Sequence, residues 1–164
     1  MNLFFCPKCR RPYSTIQLCP DCNISAATVA NTYEEKLLET VLSKETSRAG
    51  MAVDVLTKWL HETRAFVPLI MLLERREDLY SQVLGARGLG WLRAVSAVPA
   101  LTKHLLDESQ PYVARVAAAE ALGRIGGEES LRVLQQAKES PRSSVAEAAD
   151  KALMQIQIER GCER

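Results

Sequence analysis

This chain of 164 residues contains few aromatic residues and has a net charge close to zero. Phenylalanine, tyrosine and tryptophan make up 5% of the sequence, although hydrophobic residues together reach 47%. Strands favour aromatic and β-branched side chains, whereas alanine and leucine favour helices, so the composition predicts a mostly α protein. The formal net charge is only +1. A chain with so small a charge has no strong field to attract nucleic acid or an anionic membrane.

Long apolar runs are also missing, and cysteine is absent between Cys22 and Cys162. No apolar run approaches the roughly 20 residues that span a bilayer. The short run Leu3-Phe4-Phe5 lacks the length and the basic start of a secretory signal. We therefore expect a cytoplasmic protein without a membrane partner. Close cysteine pairs in such a protein bind metal more often than they form disulfides.

Four of the five cysteines lie near the N-terminus in the pattern C-x2-C-x9-C-x2-C, as Cys6, Cys9, Cys19 and Cys22. Two residues between cysteines let one tight turn aim both sulfurs at a common point, and two such turns supply a tetrahedral metal site. Four sulfurs leave no open position for a catalytic water. The pattern therefore predicts one structural Zn²⁺, with iron as the main competitor. A thioredoxin-like redox pair is disfavoured because the βαβ pattern it needs is missing.

Residues 3 to 24 resemble the zinc-ribbon family, specifically the small ribbons with two Cys-Pro-x-Cys knuckles. Such knuckles usually carry glycine after the second cysteine, in a left-handed turn. Here those positions hold Arg10 and Asn23. Asparagine tolerates the left-handed conformation, whereas arginine loses about 1 kcal/mol in it. The resemblance implies a small β-structured module of its own, and we expect metal removal to unfold this head while leaving most helices intact.

The rest of the chain is predicted to be helical and repetitive. The segment "VAAAEALGRIGGEESLRVLQQAK" (116 to 138) aligns with "VLGARGLGWLRAVSAVPALTKHL" (83 to 105). Corresponding leucines recur at intervals of 33, 33 and 31 residues, at Leu56, Leu89, Leu122 and Leu153. A repeated helix pair of about 30 residues predicts a stacked array of helices. We call the two helices of each pair the first and the second helix. The first helices are expected near 46–60, 77–91, 111–124 and 142–157. The second helices are expected near 33–43, 66–73, 97–106 and 129–138.

The best copy carries Val113-Ala114-Arg115, Ala117-Ala118 and Ala121-Leu122-Gly123. These residues resemble the HEAT-repeat superfamily, in particular the short HEAT-like repeats named after phycobilisome lyases, over roughly residues 33 to 158. The predicted fold is thus a short α-solenoid of HEAT-like helix pairs with a small N-terminal β zinc ribbon. The predicted domains are residues 1–28 (zinc ribbon), 29–160 (solenoid) and 161–164 (polar tail, with Cys162 as a spare thiol).

A partner surface is expected on the second helices, which line the concave face of HEAT-like arrays. Two kinds of position on these helices are candidates: those that packing does not require, and those on an unusually apolar helix. They are Leu69, Met71, Leu72, Lys103, Arg132 and Gln136. The segment "FVPLIMLL" (66 to 73) is apolar nearly all round, so something must cover it. Either the cysteine head folds over this helix, or the helix is an exposed patch for a partner or a dimer.

No nucleophile with a neighbouring base stands out, and "GARGLG" (85 to 90) lacks the order of a phosphate loop. His104 is interpreted as a packing or surface residue. The sequence therefore predicts no enzyme but a protein–protein interaction scaffold or adaptor, with another protein as partner and no small-molecule substrate. The alternative is a regulatory protein that contacts DNA or RNA through Arg10, Arg11 and Tyr13 between the knuckles. The near-neutral charge disfavours that alternative.

Overall fold

The computed structural model describes residues 3–26, 32–43, 46–75, 78–140 and 143–162. In these segments a two-stranded sheet precedes eight α-helices. The strands β1 (Phe4–Phe5) and β2 (Pro12–Tyr13) are antiparallel, with Phe4 opposite Tyr13 and Phe5 opposite Pro12. No described helix is both long enough and apolar enough to cross a membrane. The mostly helical fold with a small N-terminal sheet is as predicted.

The helices follow the predicted alternation of first and second helices. Their bounds are α1 (Tyr33–Val41), α2 (Thr46–Asp54), α3 (Phe66–Leu73), α4 (Leu79–Trp91), α5 (Val98–Leu106), α6 (Tyr112–Ile125), α7 (Gly127–Lys138) and α8 (Ser143–Cys162). A π-helical turn over Val55–Trp59 extends α2, and short 3-10 turns precede α3 and α5. Because α8 runs to Cys162, it enters the segment predicted as a polar tail. The predicted boundary at residue 28 lies outside the described residues.

Side-chain caps explain where several helices begin. The α1 helix starts with a capping box, in which the Glu35 backbone N–H donates to Thr32 Oγ1 at 3.3 Å. In return, the Thr32 backbone N–H donates to the Glu35 carboxylate at 3.2 Å. The N-cap of α4 is Asp78, whose carboxylate accepts from the Ser81 backbone N–H at 3.2 Å. Each cap satisfies a backbone donor that the first turn of a helix leaves without an intrahelical partner.

The turn between the two helices of a pair contains a residue with positive φ in three repeats. His61 and Arg93 have φ angles of 46° and 48°, which cost residues other than glycine about 1 kcal/mol. Gly126 has a φ angle of 71° and a ψ angle of −157°, a region that essentially only glycine adopts. The local sequence therefore favours a positive φ at Gly126 and not at His61 or Arg93.

Neighbouring first helices approach each other closely at glycine and alanine positions. A Cβ atom added to Gly90 on α4 would lie 2.8 Å from the Cα atom of Ala121 on α6. One added to Gly123 on α6 would lie 2.7 Å from the Cβ atom of Ala152 on α8. The expectation that small residues allow close approach is confirmed, and "GARGLG" is a packing segment inside α4.

One hydrophobic core runs through the array and into the cysteine head. Leu3 and Phe5 of the head are fully buried, and they belong to the same cluster as Leu38, Leu69 and Leu122. The apolar helix α3 is thus covered within the chain, mainly by α4 along one side. The cover expected from the sequence was the cysteine head, whereas the main cover observed is α4, and Met71 of α3 stays half-buried.

The close contact between α4 and α6 predicts that Gly90→Ala destabilises the protein. The new methyl group would meet backbone atoms of Ala121, which cannot rotate away, so the free energy of unfolding should fall by roughly 1–3 kcal/mol. Urea unfolding followed by circular dichroism measures this change. Arg87→Ala, at an exposed position of the same helix, is the matched control and should change stability by less than about 0.5 kcal/mol. Equal effects of the two substitutions would contradict the packing assignment.

Candidate functional site

The four predicted metal-binding cysteines converge in the structure. The Sγ atoms of Cys6, Cys9, Cys19 and Cys22 all lie within 4.8 Å of one another. The Sγ atoms of Cys9 and Cys19 are 3.7 Å apart. Four sulfurs around one ion at about 2.3 Å would be separated by about 3.8 Å, so this spacing suits a tetrahedral metal site. The cluster is compatible with the zinc ribbon expected from the sequence.

Both knuckles have the same backbone hydrogen bonds. The Arg10 N–H donates to the Cys6 carbonyl at 2.9 Å, and the Asn23 N–H donates to the Cys19 carbonyl at 2.8 Å. Arg10 and Asn23 have φ angles of 56° and 53°. The left-handed turn that the family usually builds with glycine is therefore present at both positions.

Electrostatics within the head also suit a cation. The hydroxyl of Tyr13 has no partner at ordinary hydrogen-bond distance among the described residues, and it interacts with the Cys19 sulfur. This interaction lowers the pKa of Cys19 to about 6 and, with burial, raises the pKa of Tyr13 to about 12. Burial and the crowded sulfurs raise the pKa of Cys22 to about 12. A divalent cation would relieve this crowding of thiolates.

The residues predicted to contact nucleic acid are engaged within the protein. Arg10 donates from Nε and Nη2 to the two carboxylate oxygens of Glu35, at 2.6 and 2.7 Å. Tyr13 is buried beside the cysteines. Arg11 remains half-exposed and forms an ion pair with Asp21. The prediction that Arg10 and Tyr13 are available to phosphate and base is wrong, because both side chains fill positions inside the head and its junction with the array.

Only some of the residues predicted to contact a partner are exposed. Leu69 and Leu72 are 0% and 1% exposed, so they are core residues and the prediction is wrong for them. An amphipathic pattern cannot reveal this, because α3 is apolar on nearly every side. Met71 is half-buried, whereas Lys103, Arg132 and Gln136 are exposed. These four stay a prediction as partner contacts.

A small cavity on the second-helix side collects polar groups that the sequence reasoning did not combine. Its volume is about 210 Å³, and it is lined by Glu74, Lys103, His104, Asp107 and Gln110. His104 is 9% exposed. The lining residues come from the end of α3, the last turn of α5 and the loop before α6. The only sequence signal was the polar run from Asp107 to Gln110, which resembles an ordinary helix end.

A buried amide chain orients one carboxylate of this cavity. The Nε2 atom of Gln82, which is fully buried, donates to Gln110 Oε1 at 3.0 Å. The Nε2 atom of Gln110 donates to Asp107 Oδ2 at 3.3 Å. The other carboxylate oxygen, Asp107 Oδ1, accepts from the Ser109 backbone N–H at 3.0 Å. Asp107 is thereby held in one orientation at the cavity.

A model of the family described as HEAT repeats matches residues 66–154, which is more than half of the chain. The chain belongs to the HEAT-repeat family. Curated relatives include deoxyhypusine hydroxylase from Gallus gallus, 41% identical over 69 residues, and that from Saccharomyces cerevisiae, 38% identical over 74 residues. The two matches cover 42% and 44% of this chain, but only 23% of each relative. The chain thus spans less than a quarter of the length of the curated relatives it matches.

Solved structures share the fold. Human deoxyhypusine hydroxylase in complex with glycerol matches with a TM-score of 0.64 and 24% identity, over 84% of this chain and 48% of that one. The complex of CpcE and CpcF of phycocyanin lyase from Nostoc matches with a TM-score of 0.50 and 22% identity, over 87% of this chain and 70% of that one. The sequence-based resemblance to phycobilisome-lyase repeats is therefore reflected in the fold.

These relatives overturn the predicted function. The sequence indicated a protein that is not an enzyme, either a scaffold or adaptor or a nucleic-acid-associated regulator, whereas the curated relatives are hydroxylases. That expectation depended on the absence of a compact catalytic motif. Sites assembled from distant segments of a chain leave no compact motif in the sequence.

The burial of Leu69 predicts a structural role for this residue. Leu69→Ala should reduce the free energy of unfolding by about 2–5 kcal/mol, because it removes buried methyl groups and leaves a cavity. The melting temperature should fall by about 10 °C. Gln136→Ala, at an exposed position of another second helix, should leave it nearly unchanged. Differential scanning calorimetry measures the melting temperatures of both variants. An unchanged melting temperature of Leu69→Ala would contradict the burial of this residue.

Proposed function

We propose that this chain is part of an enzyme that modifies an amine-bearing side chain of another protein, and that the amine binds in the cavity at His104. The observation that supports this proposal is that a buried imidazole, His104, and two carboxylates, Glu74 and Asp107, line one cavity. The substrate class comes from the relatives, whose name specifies deoxyhypusine, a long side chain that carries amine groups.

The charges of the cavity suit one ammonium group. Glu74 and Asp107 provide two negative charges, and Lys103 at the rim provides one positive charge. One bound ammonium would therefore balance the charge around the cavity. Attraction between charges is stronger in a partly buried cavity than in bulk water. Because Gln110 and Ser109 already hold Asp107, little side-chain entropy would be lost when the amine binds.

His104 lines the cavity beside the two carboxylates, in the last turn of α5. An alkylammonium holds its proton far more strongly than an imidazolium does, and neighbouring carboxylates favour its charged form further. The cavity therefore supports the binding and orientation of a charged amine, and we derive no proton-transfer step at His104.

An oxygen-activating metal is not supported by the side chains of the described segments. Non-haem iron oxygenases hold iron through two histidines and a carboxylate, with open positions for oxygen. Among the described residues, the only group of three or more potential ligands in mutual reach is the four cysteines. Four thiolates would close the coordination sphere. We therefore derive no oxygen-transfer step for this chain.

A larger groove of about 450 Å³ lies between α6 and α8, but its charges favour an amine less. Glu120 pairs with Arg124 at 3.9 Å, and Arg124 also stacks over the Trp91 ring at 4.8 Å. Lys151 lies four residues after Glu147 along the same helix. Each carboxylate in this groove thus has a basic neighbour, whereas the cavity at His104 keeps an excess of negative charge.

We also propose that the four cysteines hold one Zn²⁺ in a closed structural site. The mutual distances of the sulfurs, the two matching knuckles and the lowered pKa of Cys19 support this assignment. Thiolate ligands require reduced cysteines, which fits the cytoplasmic location expected from the sequence. The zinc would stabilise the head and take no part in amine binding at His104.

Amine binding tests the proposed substrate class. A peptide that contains deoxyhypusine should bind the full chain and shift NMR signals of α5, and the same peptide with norleucine in place of deoxyhypusine should not. Asp107→Asn and Glu74→Gln should each weaken binding about tenfold or more, because each removes a charged partner of the ammonium.

The matched control for this experiment is Glu108→Gln, at an exposed position beside the cavity that does not line it. This variant should bind the peptide like the wild type. Equal weakening by Glu108→Gln would indicate non-specific attraction. Weakening by Glu147→Gln, with no effect of Asp107→Asn, would assign the amine to the groove between α6 and α8 and contradict the proposal.

Metal analysis tests the zinc assignment. The purified chain should contain one zinc per molecule, and Cys6→Ser should lower this content because a three-sulfur site binds zinc more weakly. Optical emission spectrometry measures the metal. A red protein that contains iron would assign the site to the competing metal, and a metal-free protein with four freely reactive thiols would contradict the site altogether.

A further inference from the structure

Glu35, in the first turn of α1, is a carboxylate with 0% exposure. A buried carboxylate is costly unless it is paired and hydrogen-bonded. Its closest described charge partner lies 25 residues earlier, in the cysteine head, where both Nε and Nη2 of Arg10 donate to the two carboxylate oxygens. Arg64, in the turn before α3, is more distant, with Nη1 at 3.7 Å. The head thus supplies the bidentate partner of a buried charge in the array.

The position of Arg10 depends on the first cysteine knuckle. Arg10 directly follows Cys9, and its backbone N–H closes the turn by donating to the Cys6 carbonyl at 2.9 Å. Its left-handed φ of 56° is unfavourable for arginine by about 1 kcal/mol, so the closed knuckle must maintain it. The guanidinium also lies over the Phe5 ring, 5.5 Å from its centroid. These contacts aim the side chain at Glu35.

Apolar contacts join the head to the same end of the array. Leu3 and Phe5 are fully buried in a cluster shared with Leu38 of α1 and Leu69 of α3. Solenoids need terminal caps that cover the open side of their last repeat. The head covers α1 and α3 in this way, with Leu3 and Phe5 as its apolar contacts and the Arg10–Glu35 pair as its polar contact.

We propose that the cysteine head is the N-terminal cap of the solenoid, and that metal binding in the head stabilises α1 and α3 through Arg10 and Glu35. This inference rests on the proposed metal site. When the metal leaves, the knuckle opens, Arg10 loses its fixed position and Glu35 loses its bidentate partner, while the Thr32 backbone N–H and the more distant Arg64 remain near it. The helices α1 and α3 then loosen, while α6, α7 and α8 keep their own contacts. The expectation from sequence, in which metal removal unfolds the head alone, is replaced by this coupling.

Hydrogen exchange of the full chain tests the coupling. Samples with zinc and after chelation are compared by mass spectrometry, and their metal content is measured in parallel. In the wild type, metal removal should accelerate exchange in α1 and α3 by about tenfold or more, with little change in α6 and α7. Acceleration confined to residues 3–26 would overturn the proposal. Chains that bind no metal before chelation would instead contradict the metal site itself.

Variants of Arg10 separate the coupling from metal binding. Arg10→Ala keeps all four cysteines, so it should still bind one zinc, but its α1 should exchange about as fast as in the chelated wild type. Arg10→Lys keeps the charge without the bidentate geometry and should be intermediate. The matched control is Arg11→Ala, which removes an ion pair with Asp21 and an interaction with Tyr13 but leaves the Arg10–Glu35 pair in place, so α1 of this variant should exchange like that of the wild type. Zinc-loaded Arg10→Ala with wild-type protection of α1 would overturn the proposal.

The coupling must also be reciprocal. If zinc stabilises α1 through Arg10, the loss of Arg10 must weaken zinc binding by the same factor. Competition with a chromophoric chelator should therefore give a zinc affinity for Arg10→Ala about tenfold or more below that of Arg11→Ala. Equal zinc affinities of the two variants would overturn the proposal even if Arg10→Ala folded poorly for another reason.

Discussion

The close approach of neighbouring first helices is the constraint on which the rest of the array depends. Gly90 meets Ala121, and Gly123 meets Ala152, at distances that leave no room for a further methyl group. These contacts join successive repeats, α4 to α6 and α6 to α8. The cavity at His104 exists because this stacking brings the end of α3 beside the end of α5.

The N-terminal end of the array is completed by a module of a different kind. The head has only a small buried cluster of its own, and it buries Leu3 and Phe5 in the core of the array. A bidentate pair between Arg10 and Glu35 accompanies these apolar contacts. Apolar burial supplies most of the driving force in such a junction, whereas the paired charges favour one relative position, because any other leaves a carboxylate buried without its partner.

Function in this family does not follow from the fold alone. Similar helical arrays occur in a hydroxylase and in a phycocyanin lyase, which shows that the repeats hold different sites on the same architecture. In this chain the polar groups gather where second helices end and loops begin. These positions lie outside the close contacts between first helices that Gly90 and Gly123 make.

The sequence by itself determined the repeat, most helix positions and the convergence of the four cysteines. These features depend on local patterns: alternating helices with apolar stripes, breaks after each first helix, and cysteine spacings that a single turn can satisfy. Only the tertiary structure decided that Leu69 is core, that Arg10 pairs with Glu35, and that Glu74 and His104 share a cavity. Each of these depends on residues that are far apart in the chain and adjacent only after the helices stack, and no local pattern encodes which side of an all-apolar helix will be covered or which distant charge will meet a buried carboxylate.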